Sequence, residues 1–204
     1  MKKRGSVVSC LVLLLSVVFA VVPVLGVDGP KIQLEASIKQ ILTVLQNDAL
    51  QGEPRRQELS TLLRQRFDFQ VMSQYVLGPQ WRKTGKEDRT QFIDLFSDLL
   101  EVSYIGKIEA YTDEKILFGD EQIDGRKARV QTQILTASAE IPINYKLVQK
   151  ERGWLVYDVA VEGISLVRTY RDTYREIARK EGMTRLLVRM QEKLDEIRKV
   201  ETAS

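Results

Sequence analysis

Histidine is absent from this 204-residue chain, and cysteine occurs once, at Cys10. These absences remove the usual nucleophile pairs, the common zinc sites and the side chain that most often acts as general base near neutral pH. The sequence also has no Gly-rich phosphate loop. Carboxylates are what remains for catalysis. Asp158 and Glu162, four apart on one strand, would share a face and could form a two-carboxylate site. The structural alternative has Asp158 pairing with a base such as Arg168 or Arg171, or capping a backbone group, while Glu162 ends the strand beside Gly163.

An excess of one charge is missing too, once the N-terminus is set apart. The chain holds 31 Lys plus Arg against 28 Asp plus Glu, but residues 1–26 contain three bases and no acid, so residues 27–204 are formally neutral. A nucleic-acid binder would keep a basic excess, and the reading is therefore no nucleic acid. Lys2, Lys3 and Arg4 precede an apolar run from Val7 to Leu25, the order of a secretory signal. The expected cleavage follows Gly26, leaving residues 27–204 as one exported domain. An uncleaved anchor is the alternative, since the run is nearly long enough to span a bilayer. Val7-Val8-Ser9-Cys10 resembles a lipobox, but most of the apolar segment follows its cysteine, which argues against lipidation. With Cys10 removed, the domain has neither disulfide nor thiol.

The remaining sequence predicts helices, then strands, then helices. Helical spacing runs from about Gln33 to Leu50, from Pro54 to Arg66, and from Asp68, as a cap, to Gly78-Pro79. Thr84 and Glu87 form a capping-box pattern ahead of a long amphipathic helix to about Tyr111. A short strand at Lys115–Phe118, a polar turn region at Gly119–Gly125 and strands at Lys127–Leu135 and Ile141–Gln149 follow. Short connections make them an antiparallel meander. The fourth strand, from Trp154, is apolar on both faces, with Trp154, Val156, Asp158 and Ala160 expected one way and Leu155, Tyr157, Val159 and Val161 the other. One face can be buried in the core, so the second needs another layer or an apolar guest. Helices at about Ser165–Lys180 and from Met183 onward close a single α+β domain.

Several segments together carry a resemblance. Val156 to Arg171 reads V-Y-D-V-x-V-E-G-[apolar]-S-L-V-x-x-Y-R. Phe67-Asp68-Phe69, Val76-Leu77-Gly78 and Trp81-Arg82 come earlier, as do Phe92, Phe96, Leu99 and Leu100 with Tyr104 following. Ile141-Pro142-Ile143 with Tyr145, and Gly153-Trp154, complete the order. Across about Ile32 to Leu194 the chain resembles the MlaC-like (toluene-tolerance auxiliary) family of periplasmic phospholipid-binding proteins.

That resemblance implies an NTF2-like fold, an antiparallel four-stranded curled sheet wrapped by helices around an apolar cavity. It implies a carrier that moves glycerophospholipid between inner and outer membranes as the soluble binding component of an ABC-type system maintaining outer-membrane lipid asymmetry. Phospholipid is then cargo, with no cofactor, no metal and no catalysis. The implied partners are an inner-membrane ABC transporter with an MCE-type subunit and an outer-membrane lipoprotein complex, met by transient docking near a membrane. Candidate tail-lining residues are Val76, Leu77, Phe96, Leu100, Tyr104, Ile108, Tyr145, Tyr157, Val159, Val161 and Leu166, each of which also reads as ordinary core. Arg82, Lys107 and Arg171 are candidates for the head group, and Asp158 for gating. Arg185, Arg189 and Lys193 recur on one face of the last helix, where a solvated face is the default. Two other functional classes stay open, a small exported enzyme using Asp158 or Glu162 and an envelope scaffold that binds only proteins.

Overall fold

The computed structural model describes residues 28–111 and 114–202. The expected signal segment at residues 1–26, with the lipobox-like stretch at Cys10, lies outside the described residues. Five helices come first, α1 (Pro30–Leu45), α2 (Glu53–Arg66), α3 (Phe69–Leu77), α4 (Pro79–Lys83) and α5 (Lys86–Glu109). The strands β1 (Lys115–Asp124), β2 (Lys127–Leu135), β3 (Glu140–Lys150), β4 (Gly153–Val161) and β5 (Ile164–Ser165) follow, and α6 (Leu166–Lys180) and α7 (Met183–Thr202) end the chain.

Prolines open α1, α2 and α4, where their fixed φ suits the first turn and no amide hydrogen is needed. Asp68 caps α3 as the sequence predicts, its Oδ1 accepting from Val71 N–H at 2.9 Å. The capping box at Thr84 and Glu87 does not form. Gly85 is the N-cap of α5 and carries no side-chain cap, while Thr84 Oγ1 donates back to Gln80 O at 2.9 Å and so ends α4.

The strands form one antiparallel sheet in sequence order, a meander as expected, but with five strands rather than four. The fifth is a two-residue return in which Ala160 faces Ser165 and Val161 faces Ile164. Glu162 (φ 50°) and Gly163 (φ 82°) make the turn that allows it, and two residues are too few to register as alternation. β1 is also longer than expected. Residues 119–124 are strand rather than turn, because the ladder continues past a bulge between Phe118 and Glu121 and pairing resumes to Asp124, which leaves Gly125 in the turn.

A second bulge changes the reading of β4. Lys146 pairs with Asp158 and Leu147 with Val156, so Tyr157 is an extra residue in the ladder. The parity reverses there. Trp154, Val156, Val159 and Val161 share the face that carries Leu147, Tyr145 and Ile143, whereas Asp158 lies on the side of Lys146. The correction keeps the main inference, since β4 is buried on both sides from Trp154 to Val156.

The core is divided. One apolar cluster joins α3, α5, α6 and α7 through Met72, Val76, Phe92, Phe96, Val167, Leu186 and Met190. A second lies between α1 and the sheet, around Leu34, Val130, Leu147, Trp154, Val156 and Val159. A third joins α1, α2 and the C-terminal end of α5 at Val44, Leu59 and Ile105. Phe67 packs against both of the first two, and its backbone forms a parallel bridge with Val156. Asp68 N–H donates to Val156 O at 2.8 Å, so the α2–α3 junction seals the outer edge of β4 ahead of β5.

Candidate functional site

The sequence-predicted apolar residues distribute over all three clusters rather than forming one lining. Val76 and Leu77 on α3, with Phe96 and Leu100 on α5, are buried in the helical cluster, where Tyr104 and Tyr157 pack on its margin. Val159 belongs to the cluster between α1 and the sheet, and Tyr145, Val161 and Leu166 pack against it. Ile108 packs on the third cluster. Burial separates them further. Val76, Leu77 and Phe96 are wholly buried, whereas Tyr104, Ile108, Tyr145, Tyr157, Val161 and Leu166 are only partly covered.

β4 is what brings the two larger clusters together. Tyr157 turns toward α3, stacking on Tyr75 with ring centres 5.2 Å apart, while its neighbours Val156 and Val159 face α1. Rings dominate the helical side. Phe92 and Phe96 stack at 5.7 Å, and Tyr170 of α6 meets Phe96 edge-on at 5.3 Å. Tyr174 lies edge-on to both phenylalanines. Burial pushes the hydroxyls of Tyr104, Tyr145, Tyr157, Tyr170 and Tyr174 above the usual tyrosine range. Phe67, Tyr170 and Tyr174 escaped the residue-by-residue prediction. Phe67 and Tyr170 sit inside motif segments, Phe67-Asp68-Phe69 and Val156 to Arg171, and that was the available signal.

Asp158 is buried, at 3 % exposure, and its carboxylate is fully engaged. Lys146 Nζ donates to Oδ2 at 2.8 Å, Ser165 Oγ reaches Oδ1 and Oδ2 at 2.8 and 2.9 Å, and Val167 N–H donates to Oδ1 at 3.3 Å. Its cationic partner is thus Lys146 across the β3–β4 ladder, not Arg168 or Arg171. Both arginines lie on α6, whereas the register sets Lys146 directly opposite. The expected backbone cap is real, because Asp158 and Ser165 together hold the first turn of α6, where Ser165 Oγ accepts from Arg168 N–H. Glu162 is exposed in the following turn. One carboxylate is committed to structure and the other is in water, an arrangement unlike the matched pair that acid–base hydrolysis needs.

The three head-group candidates sit on three helices. Arg82 is exposed at the end of α4, and Lys107 is exposed on α5 with its ammonium 4.7 Å from the Tyr104 ring centre. Arg171 of α6 is partly exposed, with Nε 3.6 Å from Asp172 Oδ1. Two open clefts occur elsewhere. One of about 310 Å³ lies between α5 and α7 beside Asp88, Leu187, Val188 and Asp195. Another of about 330 Å³ crosses β1 to β3 beside Leu117, Gln131, Gln133 and Asn144. None of the sequence-predicted residues lines either one, and both carry polar rims. Among the described residues no helix is long and apolar enough to cross a membrane.

Known proteins resemble this chain in sequence and in fold. A family model described as MlaC protein matches residues 35–192. The intermembrane phospholipid transport system binding protein MlaC of Haemophilus influenzae is 27% identical over 123 residues, which cover 57% of this chain and 58% of that protein. The chain therefore aligns with little more than half the length of this curated relative. A phospholipid-binding protein from Ralstonia solanacearum, solved in complex with a phospholipid, superposes with a TM-score of 0.73 at 20% identity, over 83% of this chain and 99% of that one. At that identity the likeness establishes a shared fold.

Proposed function

The chain belongs to the MlaC family, and from that premise we propose that it is a periplasmic carrier of glycerophospholipid, the soluble binding component of an ABC-type system that moves lipid between inner and outer membranes. Residues 1–26 act as its export signal, and residues 27–204 form the carrier domain. The observation that carries the reading is β4, an antiparallel strand apolar on both sides and set between two separate apolar clusters. Such a seam can part between its apolar side chains while the polar bonds of Asp158 stay made, and acyl tails can fill the space it opens. The partly covered residues at its margins, Tyr104, Tyr145, Tyr157, Val161 and Leu166, are the first to meet a tail; Val76, Leu77, Phe96, Leu100 and Val159 form the walls behind them, with the partly covered Ile108 beyond at the third cluster. Arg82, Lys107 and Arg171 serve the phosphate at the mouth.

No chemistry is required of such a protein. Its work is to hold cargo, with phospholipid in place of any cofactor, and to meet an inner-membrane ABC transporter with an MCE-type subunit and an outer-membrane lipoprotein complex in turn. The name of the H. influenzae relative and the phospholipid bound to the R. solanacearum protein support this assignment. The engagement of Asp158 by Lys146 and Ser165 counts against the enzyme alternative.

The test is purification from a Gram-negative periplasm without detergent, followed by organic extraction and mass spectrometry. A stoichiometric glycerophospholipid is the expected result. An empty, fully folded protein would instead favour a scaffold that binds only proteins.

A further inference from the structure

The charge that the domain lacks overall is concentrated on one helix. α6 carries Arg168, Arg171, Arg175, Arg179 and Lys180 against Asp172 and Glu176, a net of +3 within a formally neutral 27–204 segment. The four arginines recur at intervals of three, four and four. At about 100° per residue they occupy an arc of about 80° and extend for about 16 Å along the axis. The apolar residues Val167, Tyr170, Tyr174, Ile177 and Ala178, packed into the helical cluster, occupy the neighbouring arc of about 100°. The arginine row therefore borders the buried face, with Arg171 nearest to it and only partly exposed.

Very little neutralises this row. Arg171 has Asp172 at 3.6 Å, and Glu176 is taken by Lys180 at 2.6 Å. Among the described residues Arg168, Arg175 and Arg179 form no ion pair, and all three are exposed. The row also continues sideways. The Arg175 guanidinium lies against Gly78 at the α3–α4 junction, 3.7 Å from where a Cβ would stand, and α4 next to it exposes Arg82 and Lys83.

We propose that this face of α6, extended by Arg82 and Lys83 of α4, docks the protein on an anionic lipid bilayer. A protein partner would need a desolvated apolar anchor at the centre of its footprint. No large apolar side chain of α4 or α6 is exposed. A straight row of guanidiniums without a pocket fits a delocalised negative surface, where phosphates can move to meet each one. Arginine stays charged across the physiological range, so the docking depends on salt and lipid charge rather than on pH. Docking of this kind does not require that the protein carry lipid.

The test is flotation of the purified protein with vesicles of phosphatidylglycerol in phosphatidylethanolamine, and with phosphatidylcholine vesicles as the neutral surface. Each arginine at an anionic surface contributes about fivefold in affinity, so Arg168→Gln, Arg175→Gln and Arg179→Gln together should weaken binding about 100-fold. The same three-charge loss on α7, Arg185→Gln, Arg189→Gln and Lys193→Gln, should weaken it far less. Asp172→Asn with Glu176→Gln should strengthen it, which keeps the test valid if the triple variant folds poorly. Raising the salt to about 1 M, where the screening length is about 3 Å, should abolish binding.

Equal losses from the α6 and α7 variants would overturn the proposal in favour of a bulk charge effect. So would equal binding to neutral vesicles, or intact vesicle binding by the α6 variant together with lost binding to an acidic protein partner. Co-purified lipid, measured on the same α6 variant, should match the parent. An empty parent would sink the carrier reading and leave the docking result standing.

Discussion

Replacing Asp158 with Asn tests whether one buried carboxylate fastens α6 to the sheet. The substitution keeps volume and shape but removes a charge that meets Lys146, Ser165 and Val167 at once. The pair with Lys146 is the smaller part. The lysine side chain is 42% exposed and can return to water, so the pair contributes about 1 kcal/mol or less. The interaction with the first turn of α6 adds about 1 kcal/mol in a partly buried setting. The charge-assisted bond from the Ser165 hydroxyl adds about 1 kcal/mol over the neutral bond that Asn retains. Asp158→Asn should therefore cost about 2–3 kcal/mol, and Asp158→Ala about 1 kcal/mol more, because Ser165 Oγ loses its buried acceptor. Lys146→Met should cost about 1 kcal/mol or less. Urea unfolding followed by far-UV circular dichroism gives these values directly, with slopes that should match the parent. If Lys146→Met costs as much as Asp158→Asn, the ion pair rather than the helix attachment is what matters. If Asp158→Asn is neutral, neither matters.

Three further predictions concern the interior and a turn. Val159→Trp and Leu100→Trp place bulk at buried positions on either side of β4; the carrier reading expects less co-purified lipid with the fold retained, whereas unchanged lipid with a loss of about 1–3 kcal/mol would mean that both sites are packed core. Gly153→Ala should destabilise by about 2 kcal/mol or more in the same urea assay, because φ is 108° and the new Cβ would sit 2.5 Å from Gln33 Oε1. Tyr145 and Tyr174 have hydroxyls raised by burial, so their contribution is complete below the ordinary tyrosine value of about 10 and is lost as pH rises above it. Absorbance of tyrosinate should accordingly show a late, cooperative fraction that coincides with alkaline unfolding.

What the sequence revealed depended on how local the cause was. The Asp68 cap lies three residues from the amide it serves, and Pro54 in the first turn of α2 acts on its own backbone, whereas Pro30 and Pro79 open α1 and the unforeseen α4, where the sequence spacing starts the first helix at about Gln33 and makes Gly78-Pro79 a stop. The Asp68 cap and the Pro54 start could be read directly. The two bulges could not, because a bulge is defined by a partner strand, and a period-2 rule applied to β4 has no means of seeing Tyr157 as the extra residue. The partner of Asp158 was missed for the same reason. Lys146 is twelve residues upstream and becomes its neighbour only through the β3–β4 register, while Arg168 and Arg171, at a similar distance downstream, lie on α6. Thr84 shows the opposite failure, a correct local pattern overruled when the chain used its hydroxyl to finish α4. For the candidate lining, composition identified apolar residues but not their division among three clusters, which depends on which helix covers which side of the sheet.

That division bears on how cargo could move. Two acyl chains hold about 30 methylene units, and at about 0.8 kcal/mol each their transfer from water approaches the ceiling for any non-covalent complex. A bilayer offers the tails the same apolar refuge, so the net preference between carrier and membrane is small while escape through water is prohibitively slow. Exchange by such a carrier must then occur in contact with the membrane or a docked partner, through an opening that stays dry. β4 supplies a suitable seam, since Tyr157 and Val159 are two apart yet pack against different clusters. The Asp158 attachment lies on the same strand and holds the start of α6, the helix whose Tyr170 and Tyr174 close on Phe96. Opening the helical cluster while keeping that attachment would pivot α6 about its N-terminal end and withdraw the tyrosines from the phenylalanines. On this reasoning, locking α6 to α5 should slow lipid transfer between vesicles while leaving bound lipid in place.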